Sequence, residues 1–338
     1  MSVKVKSAKH FQETFNQILE NHIPANISLA RELSELLDIS LDSAYRRLRN
    51  ETDYTLNETS KIVEYFKIPF ESLNTELNNV VSFTVNHLNS DTESYLSYLN
   101  NMLTNLERLA SMEDVHITFA AEDIPVFYHF GFPQLMDFKI KYWLKSLMNV
   151  SEFQYKHYEK IDLPEEIINT AKKIFLTYQT IDSTEVWTNE TVISTIKQIK
   201  YYYDAGFFDK TESVLEIISQ LESMIQLIQK NCDMGYKFNQ NDSMTSTKLQ
   251  FYLSDVMIGT NCILAKSKQV SASFISYSSF NFMQTTNANF NQQNEQWLNN
   301  ILAKSTLVSG VSEKQRNQFF KSIYKQIDEL KQHILAEG

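Results

Sequence analysis

Residues 28–50, SLARELSELLDISLDSAYRRLRN, decide the fold of the N-terminal part of the chain. Leucines recur there at helical spacing behind Ser28, a favourable N-cap, so a first helix is predicted from Ser28 to Leu37. Asp38 and Ile39 then form a tight turn, because aspartate tolerates a left-handed backbone and Ile39 fills the angle between two helices. A second helix follows, and the pattern predicts a helical hairpin.

The second helix is capped by Ser40 and buries Ala44 and Leu48 against the first. Its other side chains point outward, and an exposed face of this composition suits the major groove of DNA. The outward positions hold Leu41, Asp42, Ser43, Tyr45, Arg46 and Arg49.

The pattern L-S-E-L-L-D-I-S-L-D-S-A-Y-R-R-L resembles the helix-turn-helix of the phage repressors of the Cro and lambda-repressor type, over roughly residues 8–78. The resemblance implies five short helices around one core. Where that family often has glycine, this chain has Asp38 at the turn and Asn50 after the second helix. Asparagine also adopts the left-handed conformation, so the turn geometry is retained.

Arginine suits base recognition, because its planar fork pairs with guanine O6 and N7, and each bidentate contact contributes about 1–3 kcal/mol of discrimination. The helix N-terminus behind Ser40 is expected to hold a phosphate. Solvated charges on an ordinary helical hairpin are the alternative. The predicted DNA-binding residues are Ser40, Asp42, Ser43, Tyr45, Arg46 and Arg49, with Lys4, Lys6 and Lys9 as a basic arm.

Helices flank the hairpin on both sides. A first helix is predicted from Ala8 to Asn21, and the segment T-L-N-E places Thr55 and Glu58 in a capping box at the start of a fourth. A fifth short helix, beyond Pro69, completes the predicted all-α domain.

Composition restricts the function of the whole chain. Its 338 residues contain 6 glycines and 5 prolines, against about 24 glycines expected on average. No glycine-rich nucleotide-binding loop occurs, so no cofactor is predicted. The net charge of −10 argues against a protein that coats nucleic acid without specificity. The first 80 residues have 9 Lys and Arg against 12 Asp and Glu, a net of −3.

Cys232 and Cys262 lack paired spacing and are predicted to be reduced, buried thiols. The histidines likewise show no metal-ligand spacing, so no metal site is predicted. Neither a signal peptide nor a long apolar run is evident. These features favour a cytoplasmic protein without a membrane partner.

Three segments are predicted: a helix-turn-helix domain at 1–80, a linker with a connector or dimerisation helix at 81–112, and a mixed α/β dimerisation or sensor domain at 113–338. Leucines between 93 and 112 fit either a dimer seam or packing on their own domain. Residues 115–121 predict a strand, 151–235 several helices, 251–283 antiparallel strands and 306–308 a short strand. We therefore expect a small sheet wrapped by many helices. No family resemblance is evident in this domain.

Aromatic residues after the first predicted strand suggest a ligand pocket, although core packing is the more common role. The pocket candidates are Phe127, Tyr128, Phe130, Phe132, Tyr142 and Trp143. An enzyme site would start from His116, Glu122, Asp123 and His129, for which structural roles are favoured. An anion site at Ser309-Gly310, near Lys304 and Arg316, is weighed against a simple turn.

The sequence thus predicts a transcriptional regulator that binds double-stranded DNA as a homodimer, with no catalytic residues. Its larger domain would dimerise and respond to a small-molecule effector of unknown identity. Two alternatives remain: an adaptor whose helix-turn-helix binds no DNA, and an enzyme with an appended regulatory module.

Overall fold

A computed structural model describes residues 8–22, 28–66, 68, 80–238 and 244–337. The chain forms two compact units, residues 1–82 and 83–338. The division falls within residues 78–92, NNVVSFTVNHLNSDT, a polar segment in which the sequence predicts the domain boundary. The helix assigned by sequence to a connector lies inside the second unit.

The N-terminal unit is helical, as predicted. Its described helices are α1 (Ala8–His22), α2 (Leu29–Leu37), α3 (Leu41–Leu48) and α4 (Leu56–Tyr65). They enclose one apolar core, because each helix contributes residues at three- or four-residue spacing. The buried members are Phe15, Leu19, Leu33, Leu37, Ala44, Ile62 and Ile68. The predicted fifth helix lies outside the described residues.

Two left-handed residues shape the hairpin. Asp38 (φ 54°, ψ 49°) ends α2, and Asn50 (φ 59°) follows α3, which confirms that both residues take the conformation commonly filled by glycine. Ser34 Oγ donates to the carbonyl oxygen of Ile39 at 2.6 Å, which ties α2 to the turn. Ser28 occupies the N-cap of α2, but no capping bond from its side chain is found among the described residues.

The second unit is a mixed α/β domain, as predicted. Its sheet has the order β1-β8-β7-β6-β2-β3-β5-β4, and β9 pairs with β5. The described strands are β1 (Thr84–Val85), β2 (His116–Ala120), β3 (Asp182–Trp187), β4 (Tyr236–Phe238), β5 (Met244–Leu253), β6 (Cys262–Lys266), β7 (Ser271–Ser278), β8 (Asn281–Thr285) and β9 (Thr306–Leu307). Strands β2, β3 and β5 are parallel, and β6, β7 and β8 are antiparallel.

Helices cover both faces of this sheet. They are α5 (Thr92–Ala110), α6 (Val126–His129), α7 (Pro133–Tyr142), α8 (Glu165–Tyr178), α9 (Ile193–Asp204), α10 (Thr211–Met234), α11 (Ala288–Leu302) and α12 (Glu313–Glu337). The larger core joins Phe119 and Phe251 of the sheet to α5, α8, α10 and α12. A smaller core on the opposite face joins Val186 and Leu264 to Leu298 of α11.

Two sequence predictions for this unit were wrong. The segment 151–235 contains β3, although only helices were expected there. Phe251 belongs to β5, which pairs in parallel with β3, where only antiparallel pairing was expected, although β4 and β9 pair with β5 antiparallel. Strand β1 was not predicted; it lies within residues 78–92, and its Thr84 and Val85 pair with β8.

Helix α5 buries its leucines in the core of its own unit. Leu99 is fully buried, and Leu103, Leu106 and Leu109 are each less than a tenth exposed. These side chains are therefore unavailable for the dimer seam that their spacing also allowed.

Both cysteines are free and buried, as predicted. Among the helices of the described residues, none has the length and apolarity needed to cross a bilayer.

Candidate nucleic-acid interface

Helix α3 presents a stripe of exposed side chains, hereafter the α3 stripe. It consists of Asp42, Tyr45, Arg46 and Arg49, whose spacing of three, one and three residues places them on one face. Tyr45 is 43% exposed, and the Arg46 and Arg49 side chains are 54% and 53% exposed. The sequence therefore named side chains that the fold leaves accessible and adjacent.

The N-terminus of α3 is capped by its own serines. Ser40 Oγ accepts from the backbone N–H of Ser43 at 3.2 Å and donates to Ser43 Oγ at 2.9 Å. The capping role of Ser40 is confirmed. The two hydroxyls thus bond to each other. Both residues lie at the N-terminal end of α3, where the helix dipole favours an anion.

The C-terminus of α3 is held by two buried amides of α1, Gln12 and Asn16. Gln12 Nε2 donates to the carbonyl oxygens of Arg47 and Thr52 at 3.0 and 2.9 Å. Asn16 Nδ2 donates to the carbonyl oxygens of Arg47 and Leu48 at 3.0 and 3.1 Å. These bonds satisfy carbonyls that a helix end leaves without partners.

The same two amides also fix the segment that follows α3. Asn16 Nδ2 contacts Asn50 Oδ1 at 3.0 Å, and Asn16 Oδ1 accepts from the Tyr54 hydroxyl at 3.1 Å. Gln12 Oε1 accepts from the Tyr54 N–H at 3.0 Å. Sequence reasoning missed both amides, and the available signal was a polar pair, four residues apart, on the apolar face of α1.

Arg47 does not belong to the α3 stripe. Its guanidinium pairs with Glu58 of α4, with Nη2 2.8 Å from Oε1, and the side chains are only 13% and 17% exposed. Glu58 also accepts from the Thr55 N–H at 2.8 Å, which completes the predicted capping box. Burial alone would raise the pKa of Glu58, but the bonds from Thr55 and Arg47 lower it below its usual range.

Glu51 partly neutralises the α3 stripe. Its carboxylate lies 2.8 Å from Arg49 Nε and 3.9 Å from Arg46 Nε. The hydrogen bond between Glu51 and Arg49 lowers the pKa of Glu51 and raises the pKa of Arg49. The positive charge of this face is therefore already balanced in part within the unit.

The side chains of the predicted basic arm lie outside the described residues. Lys4 and Lys6 lie outside the described residues, and Lys9 lies in α1 with a side chain that also falls outside them.

In the second unit, the predicted aromatic pocket residues do not line one common cavity. Tyr128 and Phe130 are buried in the core, and the Tyr128 hydroxyl donates to Glu185 at 2.7 Å. Phe132 and Tyr142 pack edge-on or tilted against Phe175 and Tyr202. Phe127 lines an apolar cavity beneath α5, and Trp143 lines a separate polar cavity.

The polar cavity brings together three of the titratable residues singled out in the sequence. Glu122, Asp123 and His129 line it, together with Lys139, which the sequence did not identify. His116 lies elsewhere, with Nε2 2.8 Å from Thr184 Oγ1.

At the anion site considered near Ser309-Gly310, Arg316 is already bound to groups of its own chain. Arg316 donates to the carbonyl oxygens of Val308 and Val311, each at 2.8 Å, and Gly310 (φ 68°) permits the turn.

Ligand atoms of Asp204, His333 and Glu337 lie within 4.8 Å of one another. Lys200 Nζ lies 2.8 Å from His333 Nε2, so the ammonium of a lysine already lies beside these three residues.

A family model described as BetR domain matches residues 7–102. The matched residues cover the described N-terminal helices and continue through β1 into α5. The match supports a regulatory domain of the helix-turn-helix type in the N-terminal segment. Searches of curated proteins and of solved structures found no match to the chain.

Proposed function

We propose that the protein is a sequence-specific, DNA-binding transcriptional regulator without catalytic activity, in which α3 enters the major groove in the manner of the phage repressors. The α3 stripe carries the proposal. It places two exposed arginines and a tyrosine on one face of a short helix whose two ends are both capped. Such a helix meets base edges without first having to be ordered.

We expect binding as a homodimer because a single helix-turn-helix unit is small. A single module of this kind contacts little DNA, so two-fold pairing over half-sites about 10 bp apart supplies the affinity. The N-terminal unit is acidic on average, which further weakens a monomer. We assign dimerisation to the second unit.

Selection from random DNA with the purified full chain tests the proposal. The expected result is enrichment of paired short motifs spaced by one helical turn. Arg46→Ala and Arg49→Ala should each weaken binding about ten- to a hundredfold and relax the base preference at one position. Lys61→Ala, an exposed cation on α4, is the matched control. Failure to enrich any sequence would overturn the DNA-binding function.

An adaptor function is the second candidate. The exposed Leu41 and Tyr45, at 46% and 43%, give α3 apolar surface suited to a protein partner. Leu41→Asp distinguishes the two functions. Unchanged DNA selection together with loss of a protein partner would favour the adaptor.

A further inference from the structure

A polar cavity of about 140 Å³ lies beside the carboxyl end of β2 in the second unit. Crevices at the carboxyl ends of parallel strands are where sheets of this type bind ligands. A comparable apolar cavity of about 150 Å³ accommodates benzene, so the space suits roughly six non-hydrogen atoms. Its charged and polar lining residues include Glu122, Asp123, His129, Lys139, Gln198 and Asn261.

Lys139 supplies a buried positive charge in this cavity. Its side chain is 1% exposed, and Nζ donates to Gln198 Oε1 at 2.8 Å and to Thr195 Oγ1 at 3.2 Å. Asp123 Oδ2 lies 3.8 Å away, which is too far for a hydrogen bond. The ammonium and the carboxylate thus form a long ion pair across the same space, and burial lowers the pKa of Lys139 although Asp123 favours its charged form.

Negative charge exceeds positive charge around the cavity. Glu122 and Asp123 contribute two carboxylates against the single ammonium of Lys139. His129 is 1% exposed, and burial together with Lys139 keeps its pKa well below the usual value, so it adds no charge. Partial burial and the charge of Asp123 raise the pKa of Glu122. A positively charged group is therefore stabilised beside these carboxylates, of which that of Glu122 belongs to an exposed residue and that of Asp123 to a half-buried one.

The framework of the cavity is fixed. Asn261 Oδ1 accepts from the N–H groups of Glu122 and Asp123 at 2.9 and 3.1 Å. Helix α7 continues into a π-helical turn, Trp143–Leu147, and Trp143 lines the cavity. Turns of this kind often occur at functional sites in helical proteins.

We propose that this cavity binds a small zwitterion of the α-amino-acid type, with its carboxylate on Lys139 and its ammonium between Asp123 and Glu122. A carboxylate takes the remaining donor capacity of the lysine. The ammonium is attracted by both acidic side chains. A zwitterion sets each of its charges against an opposite charge of the cavity, whereas a neutral polar molecule uses neither and a simple anion or cation uses only one.

Isothermal titration calorimetry on the full chain tests this directly and involves no DNA, so its outcome is independent of the DNA-binding function. Glycine, L-alanine and L-serine are titrated one at a time at millimolar concentration. We expect at least one to bind once per chain. It should bind at least about tenfold more tightly than acetate or methylamine, which each carry only one of its charges.

Variants assign the binding to the cavity. Lys139→Met and Asp123→Asn should each weaken binding at least about tenfold. Lys141→Met is the matched control, because Lys141 is a buried lysine of the same helix that pairs with Asp137 and does not line the cavity. Circular dichroism verifies that each variant is folded.

Absence of binding by all three amino acids would overturn the proposal. So would equal binding of acetate or methylamine, or unchanged binding by folded Lys139→Met and Asp123→Asn.

Discussion

The guanidinium of Arg47 and the carboxylate of Glu58 join α3 to α4, with Nη2 and Oε1 2.8 Å apart. Arg47 Nη1 also donates to the Ser43 carbonyl oxygen at 3.3 Å. The middle arginine of the cluster is thus a structural residue, while its neighbours Arg46 and Arg49 face solvent.

Replacement of Arg47 by methionine should destabilise the helical unit. The change leaves the nearly buried Glu58 without its cation, which we expect to lower the free energy of local opening by about 1–3 kcal/mol. Hydrogen–deuterium exchange of peptides from α3 and α4 in the full chain measures this. Arg49→Met is the control and should leave exchange unchanged, and equal effects of both variants would contradict the structural role.

Asn16→Ala should loosen the C-terminal end of α3. It removes the side-chain donor to the Leu48 carbonyl, the acceptor of the Tyr54 hydroxyl and one of the two amide donors to the Arg47 carbonyl, at a cost of about 1–3 kcal/mol. We expect faster exchange across 47–54 and weaker DNA binding with an unchanged base preference. Gln17→Ala, an exposed amide of the same helix, is the comparison. An altered preference in Asn16→Ala would mean that Asn16 itself contacts bases.

Glu51→Gln should strengthen DNA binding. The carboxylate competes with the bases for Arg46 and Arg49 and repels the DNA phosphates, so its removal should raise affinity about two- to fivefold. The slope of log affinity against log salt concentration should steepen by about 0.9, the contribution of one phosphate contact. Fluorescence anisotropy over a salt series measures both, with Glu64→Gln as the control. An unchanged affinity and an unchanged slope would show that Glu51 stays paired with the arginines when DNA is bound.

Lys237 should make the stability of the second unit depend on pH. It is fully buried, and burial lowers its pKa from 10.5 to about 7, although Glu185 and Asp182 favour the charged form. Between pH 7 and 10.5 the unfolded chain therefore binds a proton that the folded chain lacks. The free energy of unfolding should rise with pH across this window, by at most about 1.4 kcal/mol per unit.

Urea unfolding at several pH values, followed by tryptophan fluorescence, measures that slope. Lys237→Met should reduce it, because no titrating ammonium remains. Lys173→Met, an exposed lysine on α8, is the control. The same slope in both variants would exclude Lys237 as its source.

The helical hairpin could be predicted from sequence because its determinants are local. The leucine spacing, Asp38, Ser40 and the Thr55–Glu58 box each act over a few residues. The polar contacts that hold α3 could not be predicted, because Gln12 and Asn16 meet partners 31 to 42 residues away.

Strand β3 could not be predicted from the sequence for a different reason. Its sequence, DSTEVW, is polar, yet the strand is central and Glu185 is fully buried. The hydroxyls of Tyr128 and Tyr178, each 2.7 Å from Glu185 Oε1, and the indole of Trp187 make this burial tolerable. Such a strand becomes recognisable only when its distant partners are known. The polar cavity was missed similarly, because Lys139 joins Glu122 and Asp123 only in the folded chain.

The α3 stripe and the residues that hold α3 in place are separate sets. Asp42, Tyr45, Arg46 and Arg49 make no bond to Gln12 or Asn16 among the described hydrogen bonds, and the Arg47–Glu58 pair lies off their face. Under the proposed function, mutations in the stripe therefore exchange one operator for another while the fold is preserved. Over evolutionary time, relatives with this scaffold could diverge in target genes much faster than in architecture.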